Sequence, residues 1–212
     1  MHTAGRVPGV SPVPEPADAE VVDRRVLRGQ RNREAVVQAF LDLVTDGDLS
    51  PTAQKVAARA GVSLRSVFHH FEDMEQLFAS AADLHVTRYI DLVEPLPSEG
   101  PLTPRIEAFV EQRARLCERI LPVYRASLLV APRSPTVQAR LARGNHLLRR
   151  QVAHAFAPEL AAAGDLDWHL DALDALASLD GWLRLRLAQG LSERRSRIVL
   201  AAAVAALLSA PR

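Results

Sequence analysis

The chain has 212 residues, a net charge of +1 and 48% hydrophobic residues, so it can form one large or two small domains and carries no overall excess of positive charge. Its single cysteine, Cys117, excludes an intramolecular disulfide framework and a cysteine zinc cluster. No apolar run is long enough for a transmembrane helix and no apolar signal-peptide segment follows the start, so we expect a cytoplasmic protein without membrane contact.

The first segment, residues 1–27, is predicted to be a disordered tail that carries arginines. It contains Pro8, Pro12, Pro14 and Pro16 with few apolar residues, and that composition cannot bury a core. Arginines then follow along the chain and continue into the first predicted helix: Arg24, Arg25, Arg28, Arg31 and Arg33.

The first helix is predicted from about Arg31 to Thr45, where Asp46 and Gly47 end it. Its apolar residues recur at helical spacing and predict one buried stripe. They are Val36, Val37, Phe40, Leu41 and Val44.

Two short helices around a glycine turn are predicted next, over residues 52–71. Ser50 is a good N-cap and Pro51 a good first residue for the helix that ends at Ala60. Gly61 ends this helix because glycine enters the left-handed conformation cheaply, and Ser63 caps the second helix.

The second short helix has one apolar and one polar side. Leu64, Val67, Phe68 and Phe71 follow the i, i+3, i+4, i+7 spacing and are predicted to face inward. The opposite side carries donors and no carboxylate: Arg65, Ser66, His69 and His70. A helix-turn-helix needs this layout, in which the second helix offers its polar side to the major groove, although an ordinary helical hairpin with a solvated side has the same spacing.

The segment from Val36 to Phe78 resembles the DNA-binding domain of TetR-family transcriptional regulators. The matching stretches are VVQAFLDLV, VAARAGVS, VFHHF and DMEQLF, which together cover about a fifth of the chain closely. The resemblance implies an all-α protein with a three-helix DNA-binding domain over residues 28–72 and a helical regulatory and dimerisation domain over residues 73–212. Beside such a domain, we interpret the arginines of the tail as an arm that contacts phosphates or the minor groove, rather than as a solvated helix start.

The fourth helix is predicted from Asp73, its cap, to about Glu94, and Gln76 stands at capping-box spacing. The body then begins at Thr103 and Pro104 as N-cap and first residue, and Pro122 is predicted to break or kink that helix. Further along, Ser134 and Pro135 start a helix that runs to about Phe156.

The last two helices, predicted over about residues 166–189 and 193–209, are the most apolar. Residues 198–208 are apolar almost all round, so this helix must be covered on every side, and a second copy of the chain is the expected cover. In the family that the chain resembles, these helices form a four-helix bundle across a twofold axis. Gly181 would let another helix approach closely, although a plain packing glycine is as good an explanation.

The resemblance also places contacts with a double-stranded DNA operator on particular residues. They are Thr52, Gln54, Ser63, Arg65, Ser66, Phe68, His69 and His70. Three positions depart from the family pattern, because Phe68 replaces a tyrosine, while Leu64 and Met74 replace lysines that contact phosphates. The arginine-rich arm is expected to compensate.

The body of such proteins encloses a pocket for a small-molecule effector whose binding spreads the two DNA-binding heads. Its candidate lining residues, each of which is equally consistent with plain core or surface, are Phe109, Arg113, Cys117, Tyr124, His146 and Trp182. The resemblance therefore implies a homodimeric repressor of a palindromic operator, without cofactor or metal.

Two other functions compete with this interpretation. An all-helical enzyme is disfavoured, because the sequence has no P-loop, dinucleotide fingerprint, HExxH or nucleophile elbow. The second alternative is a dimeric ligand-binding or partner-binding protein with a weakened DNA-binding head, and the three missing phosphate contacts keep it open.

Overall fold

The computed structural model describes residues 16–163 and 166–209, and within them the side chains of residues 16–25, 91, 166 and 167 are not described. Over these ranges the chain is helical and contains no strand, so the predicted all-α class is confirmed. The helices are α1 (Pro16–Thr45), α2 (Ala53–Ala60), α3 (Leu64–His70), α4 (Met74–Tyr89), α5 (Leu102–Val130), α6 (Pro135–Ala155), α7 (Ala157–Ala163), α8 (Leu166–Ala177), α9 (Leu179–Leu183) and α10 (Glu193–Leu208). Short 3₁₀ turns cover Ile90–Leu92 and Ala131–Arg133, and a π-helical turn covers Arg184–Ala188.

The first helix is longer than the sequence pattern predicts. It ends at Thr45 as expected, but it begins at Pro16 rather than Arg31. Proline is tolerated in a first helical turn because its missing N–H would have no partner there. The predicted disordered tail is therefore wrong for residues 16–27, while residues 1–15 lie outside the described part of the chain.

The N-terminal head forms around the predicted stripe of α1. Val36, Phe40 and Val44 of this stripe are buried, together with Val56 of α2 and Val67 of α3. The Phe40 ring meets Phe78 of α4 edge-on, with ring centroids 5.8 Å apart. The three-helix head is therefore closed by the beginning of α4.

The head core continues into the body. Val123 and Ala126 of α5 and Val137 of α6 belong to the same buried cluster as the α1 stripe. The Oγ of Ser134, at the start of α6, donates a hydrogen bond to Glu75 in the first turn of α4. Packing and hydrogen bonding thus extend across the predicted domain boundary at residue 72.

Helix α5 crosses the whole body without interruption. It begins at Leu102 with no side-chain cap, so the predicted start at Thr103 is one residue late, and it continues through Pro122 to Val130. The proline lacks the N–H that would bind the Glu118 carbonyl, but residues on both sides of it, Leu121 and Val123, are buried. Packing on both flanks holds the helix together where the local signal predicts an end.

The segment after α6 differs from prediction in two places. A loop is predicted around Pro158, but α7 forms there, with Pro158 in its first turn. One helix is predicted over residues 166–189, but it breaks at Ser178, whose extended backbone separates α8 from α9 and whose Oγ accepts a hydrogen bond from the Gly181 N–H at 2.9 Å.

Gly181 sits in the crowded turn that follows this break. A Cβ at this position would lie 2.5 Å from the Leu176 carbonyl oxygen and 2.8 Å from that of Ala175. Real Cβ atoms do not approach backbone oxygens so closely, because their van der Waals shells would overlap. The close approach is therefore made by the chain's own α8, which decides between the two explanations of this glycine in favour of internal packing.

Helix α10 starts at its predicted cap, Ser192, and packs on α5 and α8 with one side only. Leu200 and Val204 are buried, whereas Ile198 is 44% exposed. Among the described residues, no helix is both long and apolar enough to cross a membrane.

Candidate DNA interface and body cavity

The turn between α2 and α3 has the geometry that its sequence predicts. Gly61 adopts the left-handed conformation at φ 67°, and the N–H of Val62 donates to the Ala57 carbonyl at 3.0 Å. The Oγ of Ser63 accepts a hydrogen bond from the Ser66 N–H at 3.1 Å and so starts α3. These local bonds fix the direction in which α3 leaves the turn.

The cap of α2 is Thr52, not the predicted Ser50. Its Oγ accepts a hydrogen bond from the Lys55 N–H at 3.3 Å, while Pro51 is buried and Ser50 is exposed before it. A cap must lie three residues before the N–H that it binds, and Thr52 has this position. Its hydroxyl proton remains available as a donor toward a ligand.

The predicted reading side of α3 is open to solvent. Arg65 and His69 are exposed, while Ser66 and His70 are partly exposed. Arg65 forms no ion pair with any residue that the structure describes. An exposed, unpaired arginine in this position can bind the O6 and N7 atoms of guanine together.

The predicted apolar side of α3 is only half buried. Val67 and Phe71 lie in the head core, but Leu64 is 37% and Phe68 is 48% exposed. A helix of seven residues is too short to bury a wide stripe against α1 and α2. The prediction that all four apolar residues face inward is wrong for Leu64 and Phe68.

The positive charges around α3 differ in how they are bound. Lys55 and Arg59 of α2 are paired with Asp48 and Asp46 at 2.6 and 2.7 Å. Arg33 of α1 lies 5.0 Å above the centre of the Phe71 ring, and it donates to the Ser80 Oγ at 3.1 Å.

His70, at the end of α3, has a lowered pKa. Partial burial is the main cause, and the positive charges of His69 and Arg33 add to it. The neutral form is therefore favoured at this position, so the imidazole can act as donor or acceptor without a fixed charge.

A cavity of about 510 Å³ lies in the body beside the head, between α4, α5 and α6. Its walls are mainly apolar, and Phe78 and Val137 belong both to these walls and to the head core. His85 of α4 is buried in the wall, with Nε2 3.0 Å from the Arg119 carbonyl oxygen. Anything that fills this cavity touches the helix that closes the head.

Residues 46–81 match the sequence profile of a family described as bacterial regulatory proteins, tetR family. The matched segment covers α2, α3 and the first half of α4, which is the part of the chain with the reading geometry described above. The chain is a TetR-family protein. Proteins of this family are DNA-binding regulators of transcription rather than enzymes. No curated protein matches the sequence.

Solved structures of TetR-family regulators share the fold. A regulator from Streptomyces coelicolor has a TM-score of 0.67 at 19% identity, with 84% of this chain and 80% of that one covered. A transcriptional regulator from Pseudomonas aeruginosa PAO1 has a TM-score of 0.61 at 23% identity, with coverage of 87% and 92%. The multidrug binding protein EbrR, solved with imidazole, has a TM-score of 0.56 at 20% identity, with coverage of 87% and 91%. At such identities the likeness concerns the fold alone.

The six pocket residues predicted from the sequence do not come together in this TetR-family structure. Tyr124 lines the cavity, whereas His146 is exposed on α6 outside the lining. Phe109, Cys117 and Trp182 are buried in the body core, and burial raises the pKa of the Cys117 thiol to about 12.

The sixth residue, Arg113, binds main-chain oxygens. Its Nη1 donates to the Ala177 carbonyl at 2.6 Å and its Nη2 to the Leu148 carbonyl at 3.2 Å. The Ala177 carbonyl is one that the break before α9 leaves without a helical partner. Burial lowers the pKa of this arginine, whose charge is therefore held by dipoles and by the Phe109 ring 4.9 Å away.

Sequence reasoning missed the charged residues of the cavity wall. Asp83 of α4 and Arg140 of α6 are 57 residues apart in the chain and form a two-bond ion pair at 2.9 and 2.7 Å. Helical periodicity marks both positions as solvent-facing, and no local motif joins residues so far apart. The short contact between α4 and α6 is what brings them into one wall.

Proposed function

We propose that this TetR-family protein is a homodimeric repressor that binds a near-palindromic operator and is released by a small-molecule effector. The observation that carries the proposal is the solvent-exposed, donor-only side of α3, held by a glycine turn in helix-turn-helix geometry. Two such helices in a twofold dimer lie about one DNA turn apart, ~34 Å, and so require a near-palindrome.

Base reading is assigned first to Arg65, with Ser66 and His69 beside it. Thr52, Gln54 and Ser63, at the starts of α2 and α3, and His70 at the end of α3 supply donors toward the phosphates. The exposed Phe68 and Leu64 have no phosphate-binding group, but they can contact thymine methyl groups. The departures from the family pattern thus exchange phosphate contacts for apolar ones.

Dimerisation is assigned to the last helices, residues 166–209. Trp168 and Leu176 of α8 and Ile198 of α10 are large apolar side chains that the single chain leaves exposed. A second copy that covers them removes this apolar surface from water.

Release is assigned to the cavity, because its walls include α4. A ligand shifts the equilibrium only if it binds one arrangement of α4 better than the other. The structures of EbrR with imidazole and with ethidium support this proposal, since they are complexes of a protein with a similar fold and small molecules.

Selection of bound DNA from a random pool tests the proposal. We expect two inverted half-sites one turn apart, and we expect Arg65→Ala with His69→Ala to lose preference at one base position of each half-site, at a cost of about 1–3 kcal/mol for each base that is no longer bound. Arg59→Ala is the matched control, because Arg59 is a paired cation of α2 whose removal changes no base contact.

Two outcomes contradict the proposal. Selection of no sequence at all favours the alternative, a dimeric ligand-binding or partner-binding protein whose head has lost DNA affinity. An unchanged base preference in the double variant removes α3 as the reading element.

A further inference from the structure

The cavity wall combines a large apolar surface with a small set of charges. Phe78, Val86, Leu116, Ile120 and Leu148 supply apolar surface from α4, α5 and α6. Val86 is also exposed to solvent, so the cavity opens beside it on α4. A ligand for this site therefore needs an apolar body of drug-like size.

The charged part of the wall has an excess of positive groups. The described lining contains two arginines, Arg140 and Arg143, and one carboxylate, Asp83. His85 adds no charge near neutral pH, because its burial lowers its pKa below the ordinary value. The wall thus carries one more positive than negative charge, which disfavours a lipophilic cation and favours an anion.

Arg140 has an unused hydrogen-bond donor at the cavity. Its Nε and Nη2 atoms bind the two carboxylate oxygens of Asp83. Its Nη1 atom is buried and has no acceptor among the described residues. A buried guanidinium N–H without a partner is costly, so this geometry provides a place for an acceptor that the chain itself does not supply.

The partner of Arg140 is easily exchanged. The Asp83 side chain is 62% exposed, whereas that of Arg140 is 24% exposed. An ion pair with so open a carboxylate contributes little to stability, because water can solvate Asp83 as well. A ligand acid that enters from the cavity side meets the buried edge of the same guanidinium.

We propose that the effector is an amphipathic anion, with an apolar body in the cavity and one carboxylate or similar acidic group bound to Arg140. This inference rests on the proposed release of the protein by a small molecule and specifies its chemistry. The acidic group binds Nη1 and competes with Asp83 for the rest of the guanidinium. Competition for Asp83 weakens the tie between α4 and α6, and Phe78, one and a half turns before Asp83 on α4, lies in the head core.

Isothermal titration with three probes of equal chain length tests the charge rule: decanoate, 1-decanol and decyltrimethylammonium, each below its micelle concentration. We expect decanoate to bind at least about tenfold more tightly than either of the others, since a charge-assisted bond to arginine is among the stronger hydrogen bonds. Equal or tighter binding of the cation overturns the proposal.

Variants of the wall locate the site. Arg140→Gln is expected to lower decanoate affinity by about tenfold or more and to leave 1-decanol binding unchanged, while Arg140→Lys retains part of the affinity because it keeps the charge. Arg150→Gln is the matched control, since it removes the same charge from an exposed position of α6 outside the lining. Asp83→Asn is expected to bind decanoate as tightly as the native protein or more tightly, because the competitor is gone.

Circular dichroism of each variant excludes loss of folding as the cause. If Arg140→Gln and Arg150→Gln bind decanoate equally, Arg140 does not bind the acid and the proposal fails. Release of operator DNA by the cation or the alcohol, but not by decanoate, overturns the anion inference and leaves the repressor proposal standing. Arg140-dependent binding of decanoate by a protein that binds no DNA has the opposite meaning.

Discussion

Arg113 and Arg105 show how this body holds charges without burying carboxylates beside all of them. Arg113 donates to the carbonyls of Ala177 and Leu148, and Arg105 to that of Ala155 at 2.7 Å as well as to Glu159. Both arginines bind carbonyls near a helix C-terminus, where the main chain runs out of internal donors. Their side chains therefore serve as caps between helices distant in sequence, which explains why Arg113 is core rather than ligand contact.

His85 provides a prediction at the scale of one residue. Its imidazole is buried and hydrogen-bonded to the Arg119 carbonyl, and burial lowers its pKa from the ordinary value of 6.5. As the pH falls below 6.5, the unfolded chain binds this proton before the folded chain does. The contribution of neutral His85 to stability is therefore complete above the unfolded pKa and is lost as the pH falls toward the folded one.

The variant His85→Gln tests this sign. A glutamine amide can donate to the same carbonyl and does not titrate. We expect the free energy of unfolding to decline less for the variant than for the native protein between about pH 7.5 and about pH 5. Parallel pH profiles from urea unfolding would show that His85 is not the titrating group.

At the scale of one element, the break between α8 and α9 depends on Gly181. Gly181→Ala places a Cβ against the carbonyl oxygens of Leu176 and Ala175, which are backbone atoms that cannot turn aside. We expect a loss of about 1–3 kcal/mol in the free energy of unfolding, typical of overpacking.

Gly144→Ala is the matched control for this variant. Gly144 lies in α6, and a Cβ there meets no atom within 4 Å. We expect it to gain about 0.4–1 kcal/mol, since alanine restricts the unfolded chain. Equal effects of the two substitutions in chemical denaturation would contradict the close-packed turn.

The extended first half of α1 is the second element with a testable role. Arg28 and Arg31 are exposed on it, and the buried stripe of the head begins only at Val36. Deletion of residues 1–28 is therefore expected to leave the head folded and to weaken operator binding. For each phosphate that the truncated protein no longer binds, the slope of log affinity against log salt falls by about one.

Fluorescence anisotropy at several salt concentrations measures this slope. Base preference serves as the internal control, because phosphate contacts carry no sequence information. A truncated protein with native affinity and native slope would rule out the arm.

For the whole molecule, the open question is what covers the outer side of α10 and α8. Ile198 is well exposed in the single chain, although the residues around it on α10 are apolar. Ile198→Arg leaves the isolated chain intact, but it buries an unpaired charge in a dimer, at a cost of about 3–5 kcal/mol for each such charge. We expect the variant to be monomeric by light scattering and to bind a full operator weakly.

Leu129→Arg provides the comparison for the dimer prediction. Leu129 is also an exposed apolar residue, 59% accessible, but it lies at the end of α5 beside the head. A dimeric Ile198→Arg variant, or a monomeric Leu129→Arg variant, would place the interface elsewhere.

The parts of this protein that its sequence determines alone are those whose partners lie within one helical turn. The left-handed Gly61 and the caps Ser63, Asp73, Ser134 and Ser192 occur as predicted, because each cap bonds an N–H three residues on. The exposed reading side of α3 follows from the same local spacing, and so the residues proposed to touch DNA could be chosen in advance.

Tertiary structure decides what depends on residues far away in the chain. The end of α8 at Ala177 has its carbonyl bound by Arg113, 64 residues earlier, and α5 persists through Pro122 because its flanks are buried. The cavity is assembled from three helices whose lining residues share no motif, so of the six side chains predicted for it only Tyr124 lies in the wall. Periodicity tells which side of a helix is buried, but it does not tell whether that side meets a packed core or an empty space, because this depends on the volumes of all the neighbours together.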